Sequence, residues 1–431
     1  MLISFGVSNF LSLADRQEIG FVAPQRNNNV SGKAVPIGLG KAPTSLRLVE
    51  CIYGPNASGK TNLLFALQSL IGLVKNSAKN DENDNLPDVG FKLDREYTSV
   101  PAECDIEFLV NNVHYQYGLQ WTIEGVVQEW LYEYSYSERK SRRVLFHRDI
   151  NEDEEYYFGK HLKGNNKTIS DITLKNQLFL SVSARQKHKQ LNAIYQFFRM
   201  FNFRFSEELI EPAIGEQLEH IDKYSEIENA LNEIDIPACS IRVDNRDVSD
   251  KQKDLYSELV NLMHPNDKRN FEPPSTVPEV KFVRKNAQGD EIVFGFSEES
   301  KGTAAILAFL AYALPTLENG GVIVLDELES SLHPYLTSWI VKLFMSDCFN
   351  KGNAQILFTT HETNLLSSGL LERDQIWLTE KTRSGKTIVS SLDEFKPRKS
   401  ANIETSYLEG RFGGVPYIGS QLDLLRENKL P

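Results

Sequence analysis

"RLVECIYGPNASGKTNLLFAL", Arg47 to Leu67, changes character twice. "RLVECIY" is a short apolar run that predicts a strand. From Lys60 onward Leu63, Leu64, Leu67, Leu70, Ile71 and Val74 recur at the spacing of a helix. Between them "GPNASGKT", Gly54 to Thr61, fits G-x-x-x-x-G-K-[ST] in the strand–loop–helix context the pattern requires. Such a loop turns backbone N–H groups and the positive end of a helix dipole toward phosphates. Gly54 and Gly59 permit the tight path, and Pro55, Asn56, Ala57 and Ser58 complete the cradle. Lys60 is expected to reach the β- and γ-phosphates, and Thr61 to offer its hydroxyl to Mg²⁺.

The other half of such a site is expected from "GGVIVLDELESSLHP", Gly320 to Pro334. Four consecutive apolar β-formers, Val322 to Leu325, end in Asp326 and Glu327. A carboxylate at that strand end, Asp326, is placed to hold Mg²⁺. The next one, Glu327, is placed to orient and deprotonate an attacking water. Glu329 reads as ordinary surface. "QILFTTHETNLL" predicts another buried strand, and His361 after it is a candidate donor to a γ-phosphate. No [NT]KxD guanine-reading motif occurs, so ATP is expected rather than GTP.

"FSEESKGTAAILAFL", Phe296 to Leu310, is polar in its first half and a helix in its second. Ser300, Gly302 and Thr303 at its start admit two readings, a helix cap or an anion site.

Composition bounds the class. The chain has 431 residues, too many for one ordinary core. Its net charge of −12 excludes a general polyanion binder and leaves only local basic patches for nucleic acid. Cys51, Cys104, Cys239 and Cys348 are far apart and predict free thiols in a reducing compartment. The N-terminus lacks the pattern of a signal peptide, and Thr303 to Leu317 is too short an apolar run to span a bilayer. A cytoplasmic protein without a membrane span is expected. Alternating segments between about 100 and 180 predict an antiparallel sheet, and "KQKDLYSELVNLM" predicts helix in a middle region. The expected organisation is an N-terminal ATPase lobe over 1–185, a mainly helical insertion over 186–275 and a C-terminal ATPase lobe over 276–431.

Taken in order, "VSNFLSLADRQEI", "YGPNASGKTNLLFAL", "ESKGT", "VIVLDELESSLHP", "FTTH" and "SYLEGRFGGVP" make a set. The set resembles ATP-binding-cassette (ABC)-type ATPases of the SMC/RecF/OLD superfamily. Within it, the chain is similar to OLD-like AAA-type ATPases of bacterial anti-phage and abortive-infection systems. The resemblance spans roughly residues 1–75 and 275–420, with "NQLFLSVSA" a looser match between. It implies an α/β fold, an ABC-type P-loop ATPase head with an antiparallel β subdomain and an inserted helical region. It implies ATP and Mg²⁺ as ligands, hydrolysis as the reaction, Lys60 and Glu327 as catalytic residues, and His361 as the switch histidine. Ser300, Gly302 and Thr303 fall on the signature motif, which in such ATPases contacts the γ-phosphate held by a second subunit. His333 stands where many relatives carry a D-loop aspartate, and Leu11 where they often carry an arginine. Gln177 is the candidate for the Q-loop ligand to the metal, with Gln186 and Gln128 behind it.

The resemblance also implies a homodimer closed by an ATP sandwich. It leads to the expectation of an ATPase without a nuclease of its own, serving a separately encoded effector. Two alternatives stay open. A RecF-like repair ATPase would bind DNA directly, through "ERKSRR", "RQKHK" or "KPRK". A scaffold would use ATP without depending on its hydrolysis.

Overall fold

The computed structural model describes residues 1–24, 34–38, 44–135, 141–204, 211–219, 224–234, 236, 240–263, 273–398 and 401–415. The chain forms two units. One comprises Met1–Phe205, Thr316–Glu329 and Thr337–Pro431; the other comprises Ser206–Pro315 and Ser330–Leu336.

The first unit holds two large sheets and a small antiparallel one of Val22–Ala23, Thr44–Arg47 and Ala34–Ile37. The central one has six strands in the order Phe201–Arg204, Val322–Leu325, Gln355–Thr359, Val49–Tyr53, Ile376–Lys381 and Thr387–Ser391. The first five run parallel and the last returns as a hairpin. Every residue of Val49–Tyr53, Val322–Leu325 and Gln355–Thr359 is buried. Strands covered on both faces read as nearly unbroken apolar runs, which is why the sequence exposes them so plainly. Because these three are parallel neighbours, their C-terminal ends share one edge. That edge carries Gly54, Asp326 and His361, and it is where open parallel sheets bind ligands.

The second sheet of this unit is antiparallel, with seven strands from Tyr156–Phe158 across to Leu2–Ser8 and Gln17–Gly20. The helix Lys60–Asn76 joins the two sheets in one core. Its buried face is Leu63, Leu64, Leu67, Leu70, Ile71 and Val74, the periodic set of the sequence, and they pack in the cluster that holds Phe5, Ile106 and Val324. A buried amide fastens the sheets together. Gln355 accepts the N–H of Leu2 at 2.6 Å and donates to the carbonyls of Leu2 at 2.9 Å and Arg47 at 3.2 Å.

The strand Phe201–Arg204 carries no pattern that announces it; it adds to the open edge of Val322–Leu325. The helix that follows the strand Val322–Leu325 spans Pro334–Met345.

The second unit holds a three-stranded antiparallel sheet, Ser240–Asp247, Thr276–Lys285 and Glu291–Gly295. Its middle strand carries Pro278 near its start. Pro278 is tolerated because only Ser240–Asp247 pairs there; pairing with Glu291–Gly295 starts at Lys281. The helix Lys301–Asn319 starts in this unit. Among the described residues no helix is long and apolar enough to cross a membrane.

Candidate functional site

The phosphate loop leaves the strand Val49–Tyr53 and enters the helix Lys60–Asn76 at Gly59, which has φ 108° and no side-chain cap. The first N–H groups of that helix are therefore open to an anion. Glycine is required at both ends for space. A Cβ on Gly54 would collide with the Thr379 hydroxyl, and one on Gly59 with the Thr387 hydroxyl. Those two threonines brace the loop from the neighbouring hairpin. Thr379 Oγ1 meets Ser58 Oγ at 2.6 Å, and Thr387 Oγ1 donates to the Ser58 carbonyl at 2.8 Å. Ala57 takes a positive φ of 63°, a strained turn of the kind functional loops hold.

Lys60 is nearly buried, and its ammonium folds back under the loop. It donates to the carbonyls of Gly54 at 2.9 Å and Pro55 at 3.3 Å and meets His361 Nε2 at 3.0 Å. A lysine has no acceptor, so His361 Nε2 accepts and the ring carries its proton on Nδ1. Burial lowers the Lys60 pKa, while Asp326, Glu327 and Glu329 push it up. Burial of the ring and the Lys60 charge hold His361 below the ordinary imidazole value.

Asp326 is gripped from two sides. Thr61 Oγ1 donates to its Oδ2 at 2.8 Å and Thr359 Oγ1 to its Oδ1 at 2.6 Å. Glu327 follows with a left-handed φ of 53°, its N–H donating to Thr359 Oγ1 at 2.7 Å, its side chain exposed. Non-glycine residues adopt that conformation at a cost, and active sites are where it recurs. The oxygens of Thr61 and Asp326 form a hard donor pair beside the phosphate cradle, which suits Mg²⁺.

The structure therefore brings Gly54 to Thr61, Asp326, Glu327 and His361 to one edge. It does not bring Gln177 there. The Gln177 amide donates to the Asn80 carbonyl at 2.8 Å and accepts the Leu174 N–H at 3.2 Å. Asn80 lies beyond the C-terminal end of the helix Lys60–Asn76, about 25 Å of helix away from the loop. Gln177 is thus a structural amide, not a metal ligand, and Gln128 is likewise bonded to Asp149. Glu329 is also corrected. It is no idle surface acid: its Oε1 accepts the His361 N–H at 2.6 Å.

In the second unit Ser300 is a helix cap. Its Oγ accepts the Thr303 N–H at 3.1 Å and meets Thr303 Oγ1 at 2.9 Å. Ser300 is exposed, Gly302 and Thr303 partly so. The space over Gly302 is limited by the Ser331 carbonyl, 3.1 Å from where a Cβ would lie. His333 caps the next helix, with Pro334 at its first position.

Two of the basic clusters are partly engaged within the chain, while Lys396 and Arg398 of the third are exposed. Arg143 pairs with Glu133 at 3.1 Å, and Arg142 stacks on the Tyr132 ring. Arg185 donates to the Ala78 carbonyl, and His188 is buried against Asn166. Arg139, Lys140 and Lys399 lie outside the described residues, as does Cys239.

The sequence model of a family described as "AAA domain, putative AbiEii toxin, Type IV TA system" matches residues 50–367. No curated protein matches. Among solved structures, the chain is similar to an Smc head bound to the C-winged helix domain of ScpA. The identity is 15%, with 91% of this chain and 98% of that chain covered and a TM-score of 0.40. It is also similar to the SMC head domain from Thermotoga maritima, at 12% identity over 90% of this chain and 98% of that one, with a TM-score of 0.36.

Proposed function

Since the chain belongs to the AAA-domain family whose description names the AbiEii toxin and type IV TA systems, we propose that it is an ATP-hydrolysing, dimerising switch of a bacterial anti-phage system. The reading rests above all on one observation. At the phosphate-loop edge Lys60 bonds to His361 at 3.0 Å and Thr61 to Asp326 at 2.8 Å. Three separate stretches of chain supply them.

In this reading ATP enters along the N–H groups of Gly54 to Thr61. Lys60 leaves the Gly54 and Pro55 carbonyls for the β- and γ-phosphates. Thr61 and Asp326 would hold Mg²⁺, which when bound neutralises charge between those phosphates. Glu327 orients the attacking water and takes its proton. Released from Lys60, His361 presents a ring nitrogen to the γ-phosphate. Ser300, Gly302 and Thr303 of a second copy complete the site, so ATP binding closes a homodimer and hydrolysis opens it. That opening is relayed to a separately encoded effector, a nuclease or a toxin. The family description supports the defence setting.

Glu327→Gln tests the reading. It should cut phosphate release by at least a hundredfold while ATP drives the protein to a stable dimer on size exclusion with light scattering. Turnover unchanged by that substitution would sink the assignment of Glu327. Protection against phage that survives it would remove hydrolysis from the mechanism, and proteins that co-purify with the trapped dimer would identify the effector.

A further inference from the structure

A cleft of about 360 Å³ opens beside the phosphate loop of the first unit. Its walls include Pro55, Asn56, His361, Tyr407, Leu408 and Val415. The last three belong to "SYLEGRFGGV", a stretch that the phosphate chemistry leaves unused. That stretch is firmly held. Its helix Ile403–Leu408 is tied to the loop of His361 by Thr363 Oγ1, which donates to Glu404 at 2.8 Å. Tyr407 packs edge-on against Tyr53 and donates to the Gly414 carbonyl at 2.8 Å. Leu408 nevertheless stays 60% exposed at the rim. The cleft is thus apolar on the Leu408 and Val415 side and polar at Asn56 and His361.

The second unit presents an aromatic side chain with no cover of its own. Tyr335 is 81% exposed, the highest value among the exposed large apolar and aromatic side chains of the described residues, and its ring lies 5.2 Å from that of His333. Tyr335 follows four residues after Ser331, whose carbonyl backs Gly302 of the signature. Four residues span at most about 14 Å.

We propose that in the ATP-bound pair Tyr335 of one protomer seats in this cleft of the other. The inference rests on the dimer reading above. A second copy that brings its Ser300–Thr303 turn to the γ-phosphate end of the loop brings Tyr335 within reach of Pro55, Asn56 and His361. The occupant matches the walls: a tyrosine lays an apolar ring against Leu408 and Val415 and leaves its hydroxyl for Asn56 or His361. Seating a solvent-exposed aromatic adds apolar burial to closure and makes the helix Ile403–Leu408 a part of the interface. The helix then registers whether the pair is closed, through the Thr363–Glu404 bond.

The test uses the full chain with Glu327→Gln, Cys239→Ser and Cys348→Ser, leaving Cys51 and Cys104 buried. Tyr335→Cys combined with Leu408→Cys is treated with a short bismaleimide, with and without ATP. A cross-linked dimer that needs ATP and both cysteines is expected. Light scattering on the same samples separates the two readings. ATP-dependent dimers that do not cross-link overturn the seat and leave the switch intact; failure to dimerise with ATP overturns both. Independently, Tyr335→Ala should weaken ATP-driven dimerisation about tenfold, and Tyr335→Phe should restore most of it. Equal dimer dissociation constants for Tyr335→Ala and the native protein would overturn the seat, as would capture of Tyr335 by a different protein in its place.

Discussion

Thr359 and Asp326 share a hydrogen bond of 2.6 Å, from the threonine hydroxyl to carboxylate Oδ1. The same hydroxyl oxygen accepts the Glu327 N–H at 2.7 Å. One side chain thereby orients the proposed metal carboxylate and holds the strained backbone of the proposed base. Groups that orient a ligand from behind are commonly worth ten- to a hundredfold in affinity or rate. Thr359→Val, which keeps the β-branched shape, should lower kcat about 10- to 100-fold and raise the Mg²⁺ needed for half-maximal turnover. Thr359→Ser should restore most of both. Phosphate-release assays across a Mg²⁺ titration check this, and a valine variant with native Mg²⁺ dependence would refute it.

Glu329 makes a narrower prediction. It accepts the backbone N–H of His361, and its second oxygen is buried with no partner among the described residues. Glu329→Gln keeps the accepting oxygen; Glu329→Ala strands the N–H and frees the loop that carries the imidazole. The alanine variant should lose roughly tenfold in kcat with KM little changed, about 1.4 kcal/mol of transition-state stabilisation. The glutamine variant should stay within about twofold of native. Steady-state kinetics on both variants separates the hydrogen bond from the charge.

Gly59 is fixed by conformation as well as by space. Its φ is 108°, and a Cβ there would meet the Thr387 hydroxyl, which also bonds Ser12 Oγ at 2.7 Å. Gly59→Ala should weaken ATP binding by more than tenfold and cost about 1–3 kcal/mol of stability. Adding Thr387→Ser removes a methyl and not the positive φ, so it should not rescue binding. Titration with a fluorescent ATP analogue, alongside thermal melts, reads both effects.

The helix cap at Ser300 and the proposed signature role can be separated by experiment. The cap needs only the Oγ that accepts the Thr303 N–H. Ser300→Asp preserves such an acceptor and places a negative charge where the γ-phosphate of a partner is expected. It should leave melting temperature within about 2 °C of native and ATP binding by single protomers unchanged, while abolishing ATP-driven dimerisation. Ser300→Arg should block closure by bulk. Normal turnover in either variant would leave Ser300 as a cap and nothing more.

The legible part of this protein was local. Gly54 to Thr61 announce themselves because a tight phosphate turn needs its residue types in one contiguous run, and Val322–Leu325 because a strand buried on both faces must be apolar throughout. Thr359 was not legible. It reads as any threonine in a strand, and only the parallel register that sets Leu325 beside Phe358 carries it to Asp326. Thr379 and Thr387 brace the loop from a hairpin more than three hundred residues along the chain, with no local mark. Gln177 failed as a ligand for the same reason in reverse. Family order pointed to a glutamine in that region, but packing against Asn80 decides which end of the helix Lys60–Asn76 it joins.

Glu50 supplies a prediction about pH. It lies fully buried in the strand Val49–Tyr53 and accepts the indole N–H of Trp377 at 2.9 Å. Burial pushes its carboxyl pKa well above the ordinary 4.5, against the pull of the Trp377 hydrogen bond. The sign follows from proton counting. Above pH 4.5 the unfolded chain releases this proton while the native state keeps it, so the native state binds more protons and loses stability as pH rises. Stability from this group is therefore full below the unfolded value and declines toward the raised folded one. Glu50→Gln keeps an acceptor for Trp377 and removes the ionisation. Between about pH 5 and pH 8 its melting temperature should climb relative to the native protein, with the two closest at the acid end. Parallel melting curves across that range check the slope, and a constant difference between the two proteins would show that Glu50 keeps the same proton occupancy folded and unfolded.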